Sequence, residues 1–203
     1  MHNGRKLALV DDDEAVRSSI VMLLSAHALD VQGYASGAAL LRDLENGYAP
    51  DVIVSDVRMP DMSGTELQEE LKRRHHQAPV VLITGHGQVS MAVRALKAGA
   101  VDFIEKPFEE RVLLEAITRA VETADKNADA VRRKADLMAR VSQLTPRQRQ
   151  VMDRVVQGQS SKEIAAELGI SPRTVETYRL WIMEKMGASS TAMLIRMAMV
   201  LEQ

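Results

Sequence analysis

Between Lys6 and Thr123, short apolar runs alternate with segments in which apolar residues recur every three or four positions. The runs are KLALV (6–10), VQGY (31–34), DVIVSD (51–56), PVVLIT (79–84) and VDFIEK (101–106). Residues 15–25, 38–44, 65–74, 89–97 and 109–123 carry the helical spacing. Strand-length runs alternating with helical stretches predict βαβ units and a parallel sheet. Local punctuation agrees with that division. Ser63 and Glu66 have capping-box spacing, Gly99 stands as a helix stop, and Pro60 and Pro107 close loops after strands. Five repeats within residues 6–123 predict an α/β domain with a five-stranded, doubly wound parallel sheet.

The next stretch reads differently. Leu114, Ile117, Val121, Ala124, Ala128, Val131, Ala135 and Met138 follow alternating spacings of three and four, with no Gly or Pro between them. This predicts one long linker helix. Its apolar seam fits either a coiled coil or a helix lying on its own domain. Four shorter helices follow. Thr145-Pro146-Arg147-Gln148 opens the first, which stops at Gly158. Ser160-Ser161-Lys162-Glu163 opens the second, Ser171-Pro172 the third, and Ser189 or Ser190 the fourth. Only Gly169, Ile170 and Ser171 join the second to the third, which is a helix-turn-helix arrangement. The expected division is a domain at 1–122, a helical linker at 123–142 and an all-α domain at 143–203.

Composition narrows the classes. Of 203 residues, 46% are hydrophobic and 27% charged, which is globular rather than disordered or fibrous. No run approaches the roughly 18 apolar residues of a membrane helix. Arg5 and Lys6 lead into only four apolar residues, Leu7–Val10, so no secretory leader is expected. The absence of cysteine excludes thiolate catalysis and cysteine-based zinc sites, and fits a cytoplasmic protein. Aromatics at 3% argue against a stacking platform for single-stranded nucleic acid. The net charge of −2 hides an asymmetry: residues 1–122 carry 13 basic and 19 acidic side chains, whereas 143–203 carry 8 and 6. Two domains with different partners are expected.

In a doubly wound sheet the functional crevice lies beyond the carboxyl ends of the strands, where the strand order reverses. The apolar runs deliver Asp11, Asp12 and Asp13, then Asp56, Thr84 and Lys106 to those ends. Crowded carboxylates repel, and a hard divalent cation such as Mg²⁺, held by one or two carboxylates and water, relieves the repulsion. An aspartate beside such an ion and a lysine can attack phosphorus.

LVDDD (9–13), SDVRMPDMSG (55–64), LITGHG (82–87) and DFIEKPF (102–108) appear in that order, and over residues 5–122 the chain resembles the response-regulator receiver domain. The resemblance implies that Asp56 accepts a phosphoryl group from a partner histidine kinase. It implies Mg²⁺ on Asp11, Asp12, Asp56 and the backbone carbonyl of Arg58, and it pairs Lys106 with the phosphoryl oxygens after a cis Lys106–Pro107 bond. Thr84 and Phe103 match the switch hydroxyl and the aromatic that follows it. Asp13 is read as a solvated neighbour or a helix cap. The face around 89–97, 101–105 and 109–123 is the one the family uses to dimerise.

In the tail, LTPRQRQVM (144–152), GQSSKEIAAELGISPRTVETY (158–178) and EKMGASS (184–190) resemble the LuxR-type DNA-binding domain of the NarL/FixJ family. Ser161, Glu176 and Tyr178 depart from the frequent asparagine, lysine and histidine. Glu176, Thr177 and Leu180 are expected to face bases, and Lys162, Arg173, Tyr178, Arg179 and Lys185 to contact phosphates. The helix at 191–201 matches the one this family uses to pair on DNA. The whole reads as a phosphorylation-switched transcription regulator, with a histidine kinase, double-stranded promoter DNA, a second copy of itself and RNA polymerase as partners and no membrane. It is not read as an enzyme. Two rivals stand beside it: a DNA-binding repressor indifferent to phosphorylation, and an aspartate-nucleophile phosphatase. GHGQ (85–88) lacks the GKS/T of a P-loop, and His75-His76 reads as a solvated cluster at a helix end.

Overall fold

Five strands form one parallel sheet in the order β2-β1-β3-β4-β5: β1 (Lys6–Val10), β2 (Asp30–Tyr34), β3 (Val52–Asp56), β4 (Val80–Thr84) and β5 (Asp102–Glu105). The computed structural model describes residues 4–85 and 89–202. His86, Gly87 and Gln88, which belong to the third receiver motif and to GHGQ, lie outside the described residues. The chain separates into two compact units, 1–127 and 128–203.

Strand alternation builds the first unit. Leu7, Leu9, Val52, Val54, Val81 and Ile83 face one way, toward α1 (Glu14–Ala26) and the first half of α5 (Glu110–Ser142), where Ile20, Leu24, Leu113, Ile117 and Val121 meet them. Ala8, Val10, Ile53, Val80 and Leu82 face the other way, with Leu40 and Leu41 from α2 (Gly37–Glu45), Leu67 and Leu71 from α3 (Gly64–Arg73), and Ala95 from α4 (Val89–Lys97). Because β3 and β4 are buried on both faces, they read as unbroken apolar runs rather than alternating ones. Asp13 caps α1, its carboxylate accepting from the Ala15 and Val16 amides, and Ser63 with Glu66 closes the expected capping box on α3.

The second unit holds α6 (Pro146–Val156), α7 (Ser161–Leu168), α8 (Pro172–Met186) and α9 (Thr191–Glu202). Both Thr145/Gln148 and Ser160/Glu163 form complete capping boxes. The core includes Val151, Ile164, Val175, Ile182, Met186 and Leu194, and it also takes Leu137 and Val141 from the end of α5. The seam foreseen along α5 therefore divides. Ile117 and Val121 are buried in the first unit, Leu114 is partly buried there, and Ala128, Val131, Ala135 and Met138 are exposed. Near the end of α5 it is Leu137 and Val141, not Met138, that are buried, in the core of the second unit. No helix among the described residues is long and apolar enough to cross a membrane.

Candidate functional site

Strand register sets the first site. Val10 pairs with Ser55, Asp56 with Ile83, and Thr84 with Glu105. Asp11, Asp56, Thr84 and Lys106 therefore stand together at the carboxyl ends of β1, β3, β4 and β5. The switch in strand order falls between β1 and β3. Asp11, Asp56 and Thr84 are all buried.

Lys106 Nζ donates to Asp11 Oδ2 and to Asp56 Oδ1, both at 2.8 Å. Burial of the ammonium disfavours its charge, but the bonds and attraction of the two carboxylates outweigh that and raise its pKa above the ordinary lysine value. Asp56 Oδ2 accepts from the Arg58 amide at 2.8 Å, and Asp11 Oδ1 from the Asp13 amide at 3.0 Å. The Thr84 carbonyl accepts from the Lys106 amide at 2.7 Å, tying the ends of β4 and β5. Phe103 pairs with Leu82 across the strands and is half-buried against the α2/α3/α4 side of the sheet. The Lys106–Pro107 peptide is cis.

The second site lies on α7 and α8. Gly169 takes the left-handed conformation (φ +64°) that closes α7, and Ser171 caps α8 by accepting from the Thr174 amide. Val175, Ile182 and Met186 anchor the inner face of α8. Arg173, Glu176 and Leu180 are exposed on the outer face, and Thr177 is half-buried. Tyr178 and Trp181 meet edge to face at 5.7 Å beside that stripe.

Residues 7–118 match the family described as response regulator receiver domain, and residues 142–198 the bacterial regulatory proteins of the luxR family. The chain is 47% identical over 198 residues to the transcriptional regulatory protein FixJ of Rhizobium meliloti, covering 94% of this chain and 93% of that one. The chain belongs to the FixJ-like response regulators. Among solved structures, full-length FixJ from B. japonicum is 41% identical with a TM-score of 0.60, covering 98% of both chains. The response regulator StyR is 37% identical with a TM-score of 0.76, covering 97% of this chain and 98% of that one. Its fold and its place among DNA-binding transcriptional regulators are those of the FixJ-like family.

Receiver domains of this family typically use Mg²⁺ at the phosphorylation site, and the donor set in this FixJ-like chain fits that ion. Two buried carboxylates face one ammonium, leaving a net negative charge among hard oxygen donors. Asp12 is exposed, outside that buried pair. Among the described residues no group of three or more acidic or histidine side chains is placed to hold a metal. Such a donor set leaves water and backbone oxygen to complete the coordination, as Mg²⁺ commonly requires.

Several residues of this FixJ-like regulator were not foreseen from the sequence. Arg17 donates to the Asp11 carbonyl at 2.7 Å and shapes the acidic loop. Gly64 allows its backbone to press against Asp56: a Cβ there would collide with the Asp56 carbonyl oxygen. The glycine after a capping serine in MPDMSG is the only sequence signal for it. Lys185 turns inward, donating to the Gln143 carbonyl and Gln148 Oε1, both at 2.9 Å. Lys162 is exposed, and Arg179 is partly buried, donating to Thr191 Oγ1 at 3.3 Å. His76 differs from the solvated cluster expected: it is half-buried, and its Nδ1 accepts from the Ala78 amide at 3.3 Å.

Proposed function

We propose that this protein is switched by phosphorylation of Asp56 by a histidine kinase and then pairs, so that two α7–α8 units engage double-stranded promoter DNA. The observation that carries the reading is the Lys106 ammonium bridging Asp11 and Asp56 at the ends of three strands. Asp56 is held by the Arg58 amide on one oxygen, which leaves the other, now on Lys106, to attack phosphorus as the P–N bond to the kinase's phosphohistidine breaks and the imidazole leaves. Lys106 then stabilises negative charge on the transferred oxygens. Asp11, Asp56 and the Arg58 carbonyl, with the exposed Asp12 beside them, would hold Mg²⁺, which would supply charge neutralisation.

A phosphoryl group adds roughly −1.5 to −2 charge beside Thr84. Thr84 turning toward it, with Phe103 following inward, is the proposed switch, acting on the face formed by α4, β5 and α5. On DNA, Glu176, Thr177 and Leu180 face bases, and Lys162, Arg173, Tyr178 and Arg179 contact phosphates. Lys185 serves instead as a strut between α8 and the start of α6, since both its bonds lie inside the unit. RNA polymerase is the further partner, and the cytoplasm the compartment.

Sedimentation with Mg²⁺, with and without beryllofluoride in place of the phosphoryl group, tests the switch. Conversion of monomer to dimer in wild type, with no conversion and no phosphate labelling in Asp56→Asn, is the expected result. Labelling retained in Asp56→Asn places the acceptor elsewhere. DNA affinity unchanged by that substitution favours a constitutive binder.

A further inference from the structure

Two of the positions at which the tail departs from the family's frequent residues touch each other. Ser161, the first residue of α7, donates its hydroxyl proton to Glu176 Oε1, one turn into α8. The contact spans the Gly169–Ser171 turn and ties the first helix of the motif to the second. On the other side Arg179 Nε lies 4.0 Å from Glu176 Oε2, and the Glu176 side chain is still 62% exposed. The carboxylate is thus tethered on one oxygen, flanked by a cation, and open toward solvent on the outer face of α8.

We propose that Ser161 is a positioning residue for base recognition, holding Glu176 so that its free oxygen accepts a hydrogen bond from the N4 amino group of cytosine in the major groove. This rests on the reading of α8 as the recognition helix. A carboxylate only accepts, and cytosine N4 is a donor with no acceptor on its own base edge, whereas adenine N6 stands beside N7. An untethered glutamate has to be ordered on binding, and it faces phosphate repulsion. Ser161 removes much of the first cost, and Arg179 offsets the second through its charge. Specificity at one base pair of each half-site then depends on a residue that does not lie on α8.

The test is selection of binding sites from random duplexes by the full chain with Mg²⁺ and beryllofluoride. Wild type is compared with Ser161→Ala, Ser161→Thr and Glu176→Gln. Wild type enriches cytosine at one position of each half-site by about fivefold, the lower range for one good base contact. Ser161→Ala levels that position to within about twofold while the other positions stand, and Ser161→Thr, which keeps the hydroxyl, restores it. Glu176→Gln moves the preference to adenine, whose N6 and N7 suit an amide. A cytosine preference intact in Ser161→Ala overturns the proposal. If Glu176→Gln changes no position, Glu176 reads no base and the proposal falls while α8 remains the reader. If no variant, wild type included, enriches any sequence, the recognition-helix reading falls with it.

Discussion

Arg140, near the end of α5, donates a 2.8 Å hydrogen bond to the carbonyl of Met186, the last residue of α8. The bond crosses Gly187, which adopts φ +66° and whose missing Cβ leaves room for the guanidinium. A helix leaves its last carbonyls unpaired and carries partial negative charge there, so a cation satisfies both needs. The helix leading out of the receiver thereby grips the helix proposed to read DNA.

Replacing Arg140 by Ala removes that bond and is expected to destabilise the second unit by about 1–2 kcal/mol. Gly187→Ala costs a similar amount, about 1–2 kcal/mol, through left-handed strain, besides displacing the guanidinium. Urea unfolding followed by Trp181 fluorescence reads both. An unchanged midpoint in Arg140→Ala means that water replaces the contact without loss.

Gly64→Ala is expected to disturb directly the loop that follows Asp56, the proposed phosphoacceptor. Its Cβ would meet the Asp56 carbonyl and Ser55 Oγ, and backbone cannot swing aside as a side-chain end does. We expect a loss of about 3 kcal/mol and slow or absent phosphate labelling. Labelling at the wild-type rate would show that the loop relaxes around the extra carbon.

The second unit needs the end of α5. Leu137 and Val141 are both buried with Val151 and Ile182 in its core. A fragment of residues 128–203 is expected to unfold cooperatively. One of residues 143–203 loses two buried aliphatic side chains and is less stable by at least about 3 kcal/mol. Equal urea midpoints for the two fragments would contradict this.

His76 makes the first unit sensitive to mild acid. Burial disfavours its charged form and lowers its pKa below the ordinary histidine value. The unfolded chain therefore binds a proton first as pH falls through about 6.5, and stability, full above that value, declines until the folded-state pKa is passed. Lys72 and His75 line the same cavity, between α3 and β4. Chemical unfolding between pH 7.5 and 5.5 should show the decline in wild type and a shallower one in His76→Asn. Parallel profiles would assign the effect to other groups.

What the sequence disclosed were features written within a few consecutive residues or in strand alternation. The capping boxes at Ser63, Thr145 and Ser160 were legible because both members sit three residues apart. Asp11, Asp56, Thr84 and Lys106 were legible as strand-end residues, and the sheet register brings those ends together. The close approach of Gly64 to Asp56, the Arg140–Met186 bond and the Ser161–Glu176 contact were not, because each depends on how one backbone segment crosses another. Lys185 illustrates the same limit. A lysine on a basic tail suggests a phosphate contact, and only packing reveals that Gln143 and Gln148 already occupy its ammonium.

Residues 128–133 of α5 are exposed on every face. That stretch is held by helix propensity and by weak local pairs such as Arg132–Asp129 at 3.8 Å, whereas the turns on either side are fastened to a core. Such a segment opens at lower free energy than its flanks. Heating should then absorb heat in two separate events rather than one. Trypsin, meeting Arg132, Arg133 and Lys134 in succession, should divide the chain there first and leave two folded pieces in solution.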